Sequence, residues 1–332
     1  MATIFLTHAG DARAHYYGDE ALARLRELGE VRLNGTGAPL STEQLIEQAQ
    51  ACQIIVSDRA TAGPAAVFGR LPELVAFVRC AVDIRNVDVG AASAAGVLVT
   101  RASPGFADAV AELAIGLMVD LARGVSDATI AYRAGAAPPV RMGRQLRGST
   151  LGIVGYGRIG TRLAQLAVAL GMRVLINDPH VQVVEPELAQ TDLGTLLVES
   201  DFVVLLALAT DETENLIGAE ELGWMKPSAC LINVARGNLL DEAALETALA
   251  ERRIAGCAMD VGRAPDQMPS PHLARLPNVV ATPHVGGLVP ESIAHQSLET
   301  TRQVAAILEG TAPPGAVNPE RATRLPRLRP SR

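Results

Sequence analysis

His284, in the stretch TPHVGG, reads as a proton donor. A histidine in acid–base work usually needs a carboxylate to orient its ring and favour its charged form. The segment upstream, DVGRAPDQMP from Asp260 to Pro269, offers Asp260 and Asp266, with Pro265 between them. His8, His15, His180, His272 and His295 take the default of a lone histidine and read as structural.

A second constellation lies in LGIVGYGRIG. Gly155, Gly157 and Gly160 keep GxGxxG spacing, after an apolar strand and at the start of a helix. That context is what gives the motif meaning. The first glycine permits a tight turn, the second lets the backbone approach a pyrophosphate, and the third lets helix pack on strand. The phosphates meet free amides near Arg158 and Ile159 at the helix N-terminus. Asp178 ends the next strand, RVLIND, about 20 residues further on, as this motif requires. A carboxylate there accepts from the adenosine ribose hydroxyls and repels a 2′-phosphate, which favours NAD(H) over NADP(H).

These groups need a scaffold, and strand and helix signals alternate along the chain. TIFLT, QIIVS, LVAFVRC and VLVT read as strands. Asp19–Gly29 reads as a helix, and Ser41 with Gln44 forms a capping-box pattern opening another. A long helix is predicted over about Phe106–Arg123, followed by the Gly/Pro-rich loop RAGAAPPVRMG. From Leu151 the series LGIVG, RVLIN, DFVVLLAL, ACLINV, IAGCAMDV and NVVAT alternates with helices, including one over 157–170. PESIAHQSLETTRQVAAILEG is a last helix. Such alternation implies βαβ units and parallel sheets. The tail PERATRLPRLRPSR, rich in Arg and Pro, is expected to be disordered.

Composition bounds the partners. The chain has 332 residues, enough for about two domains, and a net charge of −7. That charge gives no general attraction to nucleic acid or an anionic membrane, and 3% aromatic residues offer no stacking platform. Cys52, Cys80, Cys230 and Cys257 sit in apolar runs without metal-ligand spacing. They read as core residues of a cytoplasmic protein, with no metal site. The start MATIFLTHAGDAR lacks the features of a signal peptide, and no apolar stretch is long enough to span a bilayer.

AVAELAIGLMVDLAR, LGIVGYGRIG, INVARGNLLDEAAL and ATPHVGG, in this order and spacing, resemble the D-isomer-specific 2-hydroxyacid dehydrogenase family. The likeness reaches from the N-terminus to about residue 318. It implies an α/β fold of two Rossmann-like doubly wound domains with the active site in the interdomain cleft. Residues 1–101 and 288–318 are expected to form a discontinuous substrate-binding domain, 102–287 the NAD-binding domain, and 319–332 the tail. The resemblance implies that Arg236 holds the substrate carboxylate and carbonyl, and that His284 moves the proton. Guanidinium suits that task, because it binds carboxylate bidentately and stabilises a developing alkoxide. It places Val234, Ala235 and Asp260 at the cofactor, with Thr210, in a segment that departs from the family, as a further candidate contact, and implies a homodimer formed through the long helix near 106–123.

The chain departs from the family in three places. Where the family has a glutamate paired with the histidine, this chain has Pro265, which leaves Asp266 as the favoured substitute, Asp260 as the other candidate, or His284 without a carboxylate partner. In the loop that meets the substrate acid group, Ala81 and Asp83 replace two glycines, with Val82 between them. Asp83 repels a carboxylate unless Arg85 or another cation compensates; otherwise it points away, or selects a substrate bearing a hydroxyl or amino group. Leu206 and Leu208 replace the usual His and Pro beside the cofactor. The leading expectation is an NAD(H)-dependent enzyme interconverting a small D-2-hydroxy acid and its 2-keto acid. The rival is an NAD(H)-binding sensor or corepressor-like protein with little turnover. A third possibility is dehydrogenase chemistry on another anion, since formate and phosphite dehydrogenases belong to this superfamily.

Overall fold

The computed structural model describes residues 2–328. It divides into two compact units, Met1–Gly105 with Pro290–Arg332, and Phe106–Val289. The boundaries fall a few residues later than the sequence suggests.

The first unit starts with strands β1 (Thr3–Leu6), β2 (Glu30–Leu33), β3 (Ile54–Ser57), β4 (Ala76–Arg79) and β5 (Leu98–Arg101). Between them run helices α1 (Gly10–Tyr16), α2 (Asp19–Leu28), α3 (Thr42–Gln48), α4 (Ala65–Arg70) and α5 (Val89–Ala94). All strand pairs are parallel, in the order β2-β1-β3-β4-β5. Parallel strands covered on both faces bury every side chain, so they read as continuous apolar runs. Ile4, Leu6, Ile54, Val56 and Val78 face one core, while Phe5, Ile55, Phe77 and Val99 face the other. Ser41 and Gln44 form the predicted capping box of α3.

The second unit holds α6 (Ala107–Arg123), α7 (Val125–Arg133), β6 (Thr150–Val154), α8 (Arg158–Ala169), β7 (Arg173–Asn177), β8 (Leu188–Gln190), α9 (Leu193–Glu199) and β9 (Phe202–Leu205). It continues through α10 (Ala219–Trp224), β10 (Cys230–Asn233), α11 (Glu242–Ala250), β11 (Gly256–Met259), α12 (Pro271–Ala274) and β12 (Val279–Ala281). Its parallel sheet runs β12-β11-β10-β9-β6-β7-β8. The order reverses between β6 and β9, the switch point where ligands bind at the carboxyl ends of strands. Val110, Ala114, Leu117 and Met118 of α6 bury against Leu163, Ala164 and Ala167 of α8 and Ile153 of β6.

Helix α13 (Pro290–Leu308) then returns to the first unit, where Val304 and Ile307 complete its core. The expectation of a disordered tail is corrected for residues 319–328, and residues 329–332 lie outside the described residues. Ala322 and Leu325 are buried in that core, and the Arg324 guanidinium donates to the carbonyls of Leu71 and Leu74. Composition suggested a solvated tail, but these few contacts suffice to fix it. Among the described residues, no helix is long and apolar enough to cross a membrane.

Candidate active site

The Gly-rich turn follows β6. Gly155 takes φ +101°, and a Cβ there would come within 2.5 Å of the Ala207 amide nitrogen, so the turn requires glycine. A Cβ on Gly160 would overlap the Gly155 carbonyl, so helix packs directly on turn. Gly157 differs: it meets nothing within 4 Å and no side chain caps α8. The amides of Arg158 and Ile159, at the start of the helix, therefore have neither a side-chain cap nor an intrahelical acceptor. A hollow lined by Tyr156, Gly157, Arg158, Thr161 and Ala107 adjoins them. Uncapped amides beside a side-chain-free position suit a pyrophosphate.

Asp178 follows β7 directly. Its Oδ2 accepts from Tyr156 N (2.7 Å) and its Oδ1 from His180 N (2.9 Å). The carboxylate is thus held beside the Gly-rich turn, with lone pairs left for ribose hydroxyls. Leu206 and Ala207 continue from β9 against Gly155, and Leu208 is exposed. Thr210 caps a short 3-10 turn, its N–H donating to Thr213 Oγ1 (2.8 Å).

Three loops at the ends of β10, β11 and β12 lock together. After β10, Val234 and Ala235 are buried, while Arg236 is partly exposed and donates from Nη1 to the Ala235 carbonyl (2.6 Å). Asn233 braces this turn, accepting from Ala235 N and donating to the Arg236 carbonyl. Gly237 lies directly on Gly262 of the next loop, and a Cβ would overlap that backbone.

After β11 comes Asp260, 2% exposed. Its carboxylate accepts from Thr282 Oγ1 (2.7 Å), Val285 N (2.8 Å) and Gly286 N (2.8 Å). It fixes the loop that carries His284. The expectation that the Asp260 carboxylate pairs with the imidazole is corrected, because its oxygens are committed to the loop. The His284 ring instead meets residue 266: Nδ1 lies 2.8 Å from the Asp266 backbone carbonyl. Asp266 is therefore the neighbour, through its main chain. Its carboxylate makes no hydrogen bond among the described residues, which corrects the expectation that the side chain replaces the family's glutamate.

Sequence reading missed the bracing of this loop. The Arg263 guanidinium donates to the Asn238 and Leu240 carbonyls and to Asn215 Oδ1, and pairs with Glu214 (2.8 Å). Glu242 accepts from Arg263 N and Ser270 Oγ. An arginine amid small residues was the available signal.

In the first unit, Ala81, Val82 and Asp83 follow β4. Asp83 pairs with Arg85, Oδ2 to Nη2 at 2.6 Å, and also accepts from Arg85 N (2.9 Å). Arg85 thus compensates the Asp83 charge, as one of the sequence-based alternatives required.

Residues 115–286 match the family described as "D-isomer specific 2-hydroxyacid dehydrogenase, NAD binding domain". A glyoxylate reductase of Korarchaeum cryptofilum is 35% identical over 310 residues, covering 91% of this chain and 93% of that protein. A D-3-phosphoglycerate dehydrogenase of Methanocaldococcus jannaschii is 33% identical over 308 residues, covering 90% of this chain. The chain spans 57% of that relative's length. A D-isomer specific 2-hydroxyacid dehydrogenase of Lactobacillus delbrueckii, solved as its NAD complex, superposes with a TM-score of 0.81 at 26% identity, covering 96% of this chain and all of that one.

Proposed function

The chain belongs to the D-isomer specific 2-hydroxyacid dehydrogenase family of NAD-dependent oxidoreductases, and from that premise we propose that it interconverts a small D-2-hydroxy acid and its 2-keto acid. The observation that carries the reading is the arrangement of Arg236 and His284 on interlocked loops, in the unit that also bears the uncapped Gly-rich turn.

NADH, when bound, supplies the hydride that forms the new C–H bond at the carbonyl carbon. Gly157 and the amides of Arg158 and Ile159 hold its pyrophosphate, and Asp178 takes the adenosine ribose hydroxyls. The same carboxylate disfavours a 2′-phosphate, so NAD(H) is preferred over NADP(H). Thr210, Val234, Ala235 and the loop fixed by Asp260 line the remainder of the cofactor. Arg236 binds the substrate carboxylate and polarises the carbonyl. His284 gives its Nε2 proton to the carbonyl oxygen in reduction and takes the hydroxyl proton in oxidation. The backbone of Ala81, Val82 and Asp83 contributes a further contact to the acid group. Because Arg85 offsets Asp83, that loop need not repel a carboxylate.

The proposal includes a cytoplasmic homodimer. The buried free thiols suit a reducing compartment. The second copy is expected against the long helix near 106–123, where Val119 is exposed, and its continuation in α7 and the following loop, where Ile130, Tyr132, Val140 and Met142 are exposed. Sedimentation should give a dimer for the wild type and a monomer for Val140→Glu with Met142→Glu.

Cofactor consumption with glyoxylate, hydroxypyruvate, pyruvate and bulkier 2-keto acids tests the function. Turnover with NADH well above that with NADPH is expected. NADH binding without turnover on any acid would favour a cofactor sensor instead.

A further inference from the structure

We infer that the backbone carbonyl of Asp266, aimed by a left-handed kink, is the group that positions His284. The inference rests on the function proposed above for His284. Its structural part concerns the imidazole alone.

Pro265 removes the side chain that could face the ring, and the chain then turns sharply. Asp266 and Gln267 take φ +57° and +59°, two consecutive left-handed residues of which neither is glycine. Such torsions persist only where the surroundings over-determine them. Here the loop is closed on itself, with Gly262 N bonded to the Gln267 carbonyl (2.9 Å) and Ala264 N to the Met268 carbonyl (3.1 Å). Arg263 and Glu242 anchor its base. Asp tolerates the left-handed region better than most residues. This accounts for an aspartate whose carboxylate is exposed and makes no hydrogen bond among the described residues.

The consequence for His284 is chemical. A carbonyl can only accept, so Nδ1 must carry the hydrogen. The neutral ring is thereby fixed as the Nδ1–H tautomer, with Nε2 as the nitrogen that exchanges a proton. The same bond survives when the ring is protonated, since Nδ1–H is present in both states. Asp266 is thus a positioning residue through its main chain, and its side chain matters only for the torsion it permits.

The test is the tautomer of His284, read from its ring ¹⁵N shifts in the full-length protein at a pH where the ring is neutral. The wild type, Asp266→Asn and Asp266→Gly should all show Nδ1–H, and the two variants should keep kcat within about threefold of the wild type. Asp266→Val, whose branched Cβ resists a positive φ, should lose the Nδ1–H signature. Its kcat should fall by about tenfold or more, out of the ~10²–10⁴ that acid–base catalysis contributes. An Nε2–H tautomer in the wild type would overturn the inference. So would Asp266→Gly losing signature and kcat as Asp266→Val does, for then the carboxylate is the partner. The tautomer needs no substrate, so it is decided even if no 2-keto acid is reduced and the proposed function fails.

Discussion

Arg236 and Asp266 show what one residue can carry. Arg236 is held on a rigid turn by Asn233, and its planar fork matches a carboxylate where an ammonium does not. Arg236→Lys should therefore lower kcat/KM for the best 2-keto acid by about 10²-fold or more, with NADH affinity unchanged by fluorescence titration. Equal kcat/KM in the variant would remove Arg236 from the substrate site. The two side chains assigned to the chemistry, Arg236 and His284, were singled out in the sequence by the likeness of INVARGNLLDEAAL and ATPHVGG to the family's segments, and an arginine or a histidine in isolation would not have carried that assignment. The partner of His284 is not legible there. Sequence reasoning searches for a carboxylate, and a carbonyl aimed by two backbone torsions leaves no mark in residue types. Asp260 was noticed, but its task differs: it ties down the 282–286 loop through its oxygens and leaves the ring alone.

Among the elements, those with a strong period or a strong motif were legible. The buried strands read as apolar runs, α6 kept its helical spacing to within a residue, and the β6–turn–α8 unit followed from its glycines. Short amphipathic pieces were not. Strand β2 is half exposed at a sheet edge, and α1 has no capping side chain to announce it. The tail was misread because its polar composition hides two buried positions. Leu325 is 7% exposed in the first unit's core. Leu325→Ala should destabilise that unit by about 2–3 kcal/mol, measured as a lower urea midpoint. An unchanged midpoint would mean that the tail contributes nothing to the core.

For the molecule as a whole, acid stability has an identifiable source in the first unit. His8 is 3% exposed, its ring 5.0 Å from that of Tyr17. Burial lowers its pKa from 6.5 to about 4, against the opposing pull of Asp58. Between those values the unfolded chain binds a proton that the native state excludes, so stability rises with pH there. The contribution is complete above pH 6.5 and is lost as pH falls to about 4. His8→Gln should flatten the fall in urea midpoint between pH 7 and 4.5. A variant that falls as steeply as the wild type would assign the acid sensitivity to other groups.

The most direct measurement on the central claim is steady-state reduction of the best 2-keto acid by wild type and His284→Gln, with NADH affinity measured on both. The account predicts that kcat drops by about 10²-fold or more in the variant while NADH binds as before. Turnover that persists undiminished in His284→Gln would contradict it, because the proton would then come from elsewhere.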